Sequence, residues 1–169
     1  MTRTVFARLF FVLALLFCGM ATPALAQLFE TRAKQAYLID ADTGTVLFAK
    51  NEDELVPPAS LAKLMTMEVV FNAIHSGRLT LDDTFQVSEN AWRTGGAISR
   101  TSTMFAELKS SIRLEDLIQG VIVQSANDGC IIIAEGMAGS EENFARLMTE
   151  RAREIGLTRS VFGNSNGLP

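Results

Sequence analysis

Ser60 and Lys63 are the residues in this chain whose types and spacing best fit catalysis. They lie three residues apart, in Ser60-Leu61-Ala62-Lys63, at the start of an apolar run that predicts a helix. Residues three apart on a helix share one face, so the lysine amine can reach the serine hydroxyl. A neutral amine can activate a serine, and apolar surroundings lower the pKa of a lysine by removing its water. A helix start also offers backbone N–H groups to an oxyanion. The pair therefore predicts nucleophilic catalysis by Ser60 with Lys63 as its base.

The spacing by itself also fits a purely structural pair. S-x-x-K is expected about 0.6 times by chance in a chain of this size, so a helix-capping serine beside an exposed lysine is the simpler interpretation of the spacing alone. The segment Pro57-Pro58-Ala59 supports the catalytic interpretation because it fixes the helix start at the serine. The single histidine, His75, lies near the predicted end of the same helix, and we expect it to face solvent rather than to join a catalytic triad.

A second polar group lies between two predicted helices, in Ser125-Ala126-Asn127. A serine hydroxyl there could shuttle a proton, and an asparagine amide could hold a peptide-like substrate. The pattern is common, since Ser88-Glu89-Asn90 repeats it, and we assign that copy to a turn before Ala91.

The elements that would position these residues follow from periodicity and turn signals. Residues 35–39 and 45–49 favour β structure and flank a Gly-containing turn, which predicts a β-hairpin. Residues 79–112 predict loops with one or two minor strands. Apolar spacing predicts four helices, which begin at Ser60, Leu114, Asn127 and Ser140 and end near Gly77, Ile122, Met137 and Gly156. Cys130 to Ile133 are apolar on almost every side, so the third helix should be central.

The first 26 residues predict a secretory signal peptide. Arg3 and Arg8 precede an apolar run of about 14 residues, shorter than the ~20 that cross a bilayer, and an Ala24-Leu25-Ala26 cleavage site follows. The remaining residues, 27–169, carry more acidic than basic side chains, which excludes nucleic acid as a partner. Cys130 has no partner for a disulfide within them, and one histidine with one cysteine cannot form a zinc set, so the sequence indicates no metal and no cofactor.

Longer segments around these residues resemble one family. Residues 57–66, PPASLAKLMT, are similar to the nucleophile segment of low-molecular-mass penicillin-binding proteins of the D-alanyl-D-alanine carboxypeptidase type, and residues 122–128, IVQSAND, to their second motif. Residues 37–44 and 163–169 also resemble family segments. The superfamily signature is S-x-x-K, S-D-N and K-T-G. The resemblance implies an α/β (α+β) domain of the β-lactamase/transpeptidase-like fold, of which residues 27–169 would be the N-terminal part: a β-hairpin and a helical cluster without the later strands.

The resemblance also implies a mechanism and a setting. Ser60 would attack the penultimate D-alanine of a peptidoglycan stem peptide that ends in D-Ala-D-Ala, and Lys63 would take its proton. Ser125 would help to protonate the leaving D-alanine, and Asn127 would position the acyl-side amide. β-Lactam antibiotics would acylate the same serine. The expected location is the periplasm or cell envelope.

One family feature is missing from this sequence. None of its four lysines is followed by Thr-Gly or Ser-Gly, so the third motif does not occur. We expect the chain to be a fragment or truncated product that folds poorly, with one face of the Ser60 helix uncovered and little activity. Membrane association is expected only through a C-terminal anchor beyond residue 169. A K-T-G further downstream in the coding sequence would show that the chain is incomplete.

Three other functions were compared with the carboxypeptidase. A D,D-endopeptidase of the same family would use the same four residues and stays open. A non-catalytic protein that binds peptidoglycan or a protein partner also stays open. A class A β-lactamase is disfavoured because no E-x-x-x-N pattern follows Ser125.

Overall fold

The computed structural model describes residues 30–169. The chain divides into two compact units, the first ending at Leu55 and the second spanning Val56–Pro169. The predicted signal peptide, residues 1–26, lies outside the described residues. Within residues 30–169, no helix combines the length and the apolar character that crossing a bilayer requires.

The first unit contains the predicted hairpin. Strand β1 (Ala36–Ile39) pairs antiparallel with β2 (Val46–Lys50), and within residues 30–169 no third strand joins them. Asp40 closes the turn, because its Oδ1 accepts hydrogen bonds from the backbone N–H (2.8 Å) and the hydroxyl (2.6 Å) of Thr43. These bonds lower the pKa of the Asp40 carboxyl. Several apolar side chains of the hairpin are exposed.

The second unit is a helical cluster. A 3-10 turn, Ala59–Leu61, leads directly into helix α1 (Ala62–His75). Three further helices follow: α2 (Leu114–Gln124), α3 (Asn127–Ala138) and α4 (Glu141–Glu154). The prediction that the third helix is central is confirmed, because its first eight residues are all buried and it packs against α1, α2 and α4. Ser140 caps α4 as predicted, its side chain accepting the Asn143 N–H at 3.2 Å.

Helix α1 buries one face and leaves another exposed. Leu61, just before the helix, and Leu64 belong to the apolar run that predicts it, but they are 68% and 71% exposed. The contacts with α3 and α4 cover the face that carries Val70 and Ala73, and Lys63 is also buried. Both leucines therefore point away from the core. His75 is the last residue of the helix and is exposed, as predicted.

Residues 79–112 contain two short strands, as predicted. Strand β3 (Thr84–Gln86) pairs antiparallel with β4 (Ser111–Arg113). Between them a π-helical turn, Ala91–Gly95, and a 3-10 turn, Ala97–Ser99, bring the chain against the start of α3. Gly95 makes this approach possible, since a Cβ on it would lie 2.5 Å from the backbone nitrogen of Asp128. The loop that follows is consequently held beside the Ser125-Ala126-Asn127 segment.

Candidate active site

The Ser60 hydroxyl and the Lys63 amine are in direct contact. Ser60 is the central residue of the 3-10 turn, and Lys63 follows in the first turn of α1. The Lys63 Nζ donates a hydrogen bond to Ser60 Oγ at 3.0 Å. Ser60 is exposed, whereas Lys63 is only 6% exposed. The helical geometry predicted from the S-x-x-K spacing is therefore present, and the lysine is buried rather than solvated.

Burial lowers the pKa of the Lys63 amine. The charged amine loses its hydrating water in the apolar surroundings, so burial favours the neutral amine over the charged one. Cys130 lies near enough to influence this amine, and a thiolate there would oppose the effect. Burial raises the pKa of the Cys130 thiol to about 12, so it is neutral at pH 7 and supplies no negative charge. The lowering of the Lys63 pKa by burial is therefore not opposed by a negative charge on Cys130.

Ser125 faces the same cavity as Ser60 and Lys63. It ends α2 in the left-handed conformation, with φ 54°, and α3 begins two residues later. A non-glycine residue in this conformation is strained, and such strain occurs often at functional sites. The cavity measures about 230 Å³, and the three polar residues share its lining with apolar ones: Leu61, Leu64, Met67, Val121 and Ile122. Two polar segments that are 65 residues apart in the chain thus meet at one small cleft.

Asn127 follows Ser125 by two residues, but it does not line this cleft. It is 3% exposed, and its Nδ2 donates to Thr101 Oγ1 at 2.9 Å. Its Oδ1 is buried without a hydrogen-bond partner among the described residues. Because buried acceptors are nearly always paired, this oxygen is suited to receive a donor. The sequence identified Asn127 but gave no sign of Thr101.

Asp128 holds the loop beside Asn127 in place. Its fully buried carboxylate accepts hydrogen bonds from the Thr103 hydroxyl (2.6 Å) and from the backbone N–H groups of Met104 (3.0 Å), Ala106 (3.1 Å) and Gly129 (3.0 Å). Sequence reasoning gave Asp128 no role, although it is the last residue of the segment that resembles the second motif. The carboxylate fixes the segment that leads on from Thr101, which is the hydrogen-bond partner of Asn127.

Replacing Asp128 with asparagine is expected to destabilise the fold by about 3 kcal/mol, since an amide NH₂ would face donors that now bind a carboxylate oxygen. Urea denaturation of the wild type and the variant measures this difference. Asp116→Asn is the matched control, because Asp116 is exposed in the first turn of α2 and its charge contributes less than about 1 kcal/mol there. Equal stability of the two variants would contradict the role assigned to Asp128.

The functional groups that a metal would need do not cluster in this unit. Within residues 30–169, no group of three or more His, Cys, Asp or Glu side chains is placed to hold a metal ion. The polar groups that line the cleft are two hydroxyls and an amine. Hydroxyls and amines can transfer protons, and a serine hydroxyl can act as a nucleophile, so the cleft is suited to acyl transfer.

Comparison with known proteins identifies the family. Residues 20–169 match the D-alanyl-D-alanine carboxypeptidase family of peptidases, so the chain belongs to it. D-alanyl-D-alanine carboxypeptidase DacC of Escherichia coli is 41% identical over 137 residues, which are 80% of this chain and 34% of that protein. D-alanyl-D-alanine carboxypeptidase DacF of Bacillus subtilis is 38% identical over 136 residues, again 80% of this chain and 34% of that protein.

A solved structure agrees with the sequence relatives. Penicillin binding protein 6B from Escherichia coli superimposes with a TM-score of 0.76 at 37% identity, covering 86% of this chain and 46% of that one. This confirms the predicted fold class, a mixed α/β domain of the penicillin-binding protein type. The chain spans about a third of the length of the curated relatives it matches.

Proposed function

We propose that this protein is a serine D-Ala-D-Ala carboxypeptidase that forms an acyl-enzyme on Ser60. The observation that carries the proposal is the 3.0 Å contact between Ser60 Oγ and the buried Lys63 Nζ, in a cleft shared with Ser125. The names of the carboxypeptidase relatives support this reaction class. Residues 27–169 would form part of the catalytic domain, and residues 1–26 would direct export.

Acylation begins with proton transfer from Ser60 to Lys63. Once Lys63 is neutral, its lone pair accepts the hydroxyl proton while Oγ bonds to the carbonyl carbon of the penultimate D-alanine. The carbonyl oxygen becomes an oxyanion, and backbone N–H groups at the start of α1 are suited to stabilise it. The proton is therefore held at Nζ while the tetrahedral intermediate exists.

Collapse of this intermediate requires a proton on the leaving nitrogen. The Ser125 hydroxyl lines the cleft between the two segments, so it can pass a proton from Lys63 to that nitrogen as the C–N bond breaks and D-alanine leaves. Asn127 would position the acyl-side amide of the substrate, which requires its side chain to turn into the cleft that it does not line. Water then attacks the ester on Ser60, and the shortened peptide departs with Oγ regaining its proton.

The proposed substrate sets the location. Assembled peptidoglycan lies outside the inner membrane, so the protein would act in the periplasm or cell envelope, in agreement with the predicted signal peptide. β-Lactam antibiotics would bind as substrate analogues. Their ring carbonyl would acylate Ser60, and the opened ring would remain attached.

Locating a penicillin adduct tests this proposal. The protein is expressed from its complete coding sequence, incubated with a fluorescent penicillin, digested and analysed by mass spectrometry. We expect a single adduct on Ser60, and D-alanine released from a synthetic pentapeptide. Cleavage of cross-linked dimers without D-alanine release would favour the endopeptidase, and binding to peptidoglycan without an adduct would favour a non-catalytic protein.

A further inference from the structure

We propose that Asn164–Leu168, termed the buttress segment, positions the Ser60 turn through a contact at Gly167. The inference rests on the proposed function, because it gives the segment a role in acylation. Gly167 lies 107 residues after Ser60 and outside the cleft lining. It therefore acts through the backbone that carries the nucleophile and does not touch the substrate.

Gly167 lies directly against the residue that precedes the nucleophile. A Cβ on Gly167 would lie 1.9 Å from the carbonyl oxygen of Ala59 and 2.6 Å from its carbonyl carbon. Ala59 has a φ of 49°, a strained conformation for a residue with a side chain. Such strain persists only where the surroundings hold the backbone. Gly167 is one neighbour that does so, since its backbone occupies the space next to the Ala59 carbonyl.

The buttress segment is itself held rigidly. Thr66, on α1 one turn after Lys63, donates its hydroxyl hydrogen bond to the Ser165 carbonyl at 2.5 Å. The Ser165 N–H and hydroxyl both donate to Glu141 Oε1, on the first turn of α4. Ser165 is fully buried. The segment is thus fixed to the same helix that carries Lys63, on the side away from solvent.

Two asparagine side chains fold the segment on itself. Asn164 Oδ1 accepts the Gly167 N–H at 2.7 Å, and Asn164 Nδ2 donates to the Leu168 carbonyl at 2.6 Å. Asn166 Oδ1 accepts the Leu168 N–H at 2.9 Å. Gly167 itself has a φ of 75°, which a glycine adopts without strain. These bonds leave Gly167 little freedom to retreat from Ala59.

A side chain at position 167 would therefore push the nucleophile turn. Cβ atoms in proteins essentially never lie closer than 3.0 Å to a non-bonded heavy atom. The Ser60 turn and the buttress segment would therefore have to separate by roughly 1 Å. The reactive Ser60 Oγ is one residue from the displaced carbonyl, whereas Lys63 is anchored in the core. The shift would lengthen the contact between Oγ and Nζ. Displacements of this size reduce rates by up to about a hundredfold.

The test compares two glycine-to-alanine variants with the same backbone strain, because both glycines have a positive φ of similar size. Gly167→Ala is expected to slow acylation at saturating fluorescent penicillin by at least about tenfold. Gly139→Ala is the matched control, because Gly139 has a φ of 77° at the end of α3 and a Cβ there would meet nothing within 4 Å. Its acylation rate should stay within about twofold of the wild type. Both are measured on the folded protein, expressed from its complete coding sequence.

A second pair of variants keeps the test valid if Gly167→Ala does not fold. Thr66→Val removes the hydroxyl that holds the Ser165 carbonyl and should slow acylation several-fold. Thr66→Ser keeps a hydroxyl there and should acylate at the wild-type rate. Equal acylation in the two glycine variants, or no difference between Thr66→Val and Thr66→Ser, would overturn the inference. Unlabelled wild type would instead overturn the proposed function, and this inference with it.

Discussion

Replacing Ser60 with alanine is expected to abolish covalent labelling by penicillin and to reduce D-alanine release by at least about a thousandfold. Without Oγ no ester can form, and Lys63, which now contacts that hydroxyl at 3.0 Å, has no proton to accept. Labelling is measured with a fluorescent penicillin on a denaturing gel, and D-alanine release with a coupled assay. Both measurements use the protein expressed from its complete coding sequence.

Ser88→Ala is the matched control for this prediction. Ser88 belongs to the second S-x-N pattern, and its hydroxyl accepts the Ala91 N–H at 2.9 Å. Its loss should cost about 1 kcal/mol of stability and leave labelling unchanged. Persistent labelling in Ser60→Ala would contradict the assignment of the nucleophile. A Ser60→Ala variant that still binds isolated peptidoglycan would show that recognition of the cell wall does not need the hydroxyl.

The local part of the site was predictable from sequence because it depends on helix geometry. Ser60 and Lys63 are three residues apart in a helical segment, so their side chains lie on the same face wherever that helix forms. The helix boundaries were predictable for the same reason. Ser140 caps α4, and Gly156 follows it in the left-handed conformation, both of which are sequence signals with local physical causes.

The rest of the site depends on contacts between distant segments. Asp128 accepts hydrogen bonds from a hydroxyl and N–H groups that lie 22 to 25 residues before it, and Gly167 meets Ala59 from more than 100 residues away. Periodicity also failed to predict the exposure of Leu64, because nearly every face of α1 carries apolar residues. The choice of face is made by packing against α3 and α4. Sequence patterns thus predicted the candidate groups of the site but not the neighbours that position them.

The sequence alone fits either a buried or an exposed Lys63, and its burial has the largest chemical consequence. An exposed lysine at this position would be an ammonium at pH 7 and a poor base. Packing of α1 instead leaves the side chain only 6% exposed. Replacement of this residue therefore tests both its contact with Ser60 and the effect of burial on its pKa.

Lys63→Arg is expected to reduce the acylation rate by about a thousandfold, within the range that general-base catalysis contributes. Arginine has a similar length and the same charge, but a guanidinium stays protonated and cannot accept the Ser60 proton. Acylation is measured with penicillin at saturation, so that weaker binding does not affect the result. Lys109→Arg, at an exposed lysine in the same unit, should leave the rate unchanged. Acylation retained by Lys63→Arg would exclude Lys63 as the base.

The pH dependence of acylation distinguishes a base from a purely structural lysine. A neutral amine is the reactive form, so the rate should rise as pH increases through the pKa of Lys63 and then level off. Because burial lowers that pKa, this rise should occur below the range where an exposed lysine titrates. The rise should be missing in Lys63→Arg and present in Lys109→Arg. A rise centred at the ordinary lysine pKa would mean that Lys63 is solvated in the working enzyme, and a profile unchanged in Lys63→Arg would assign the proton transfer to another group.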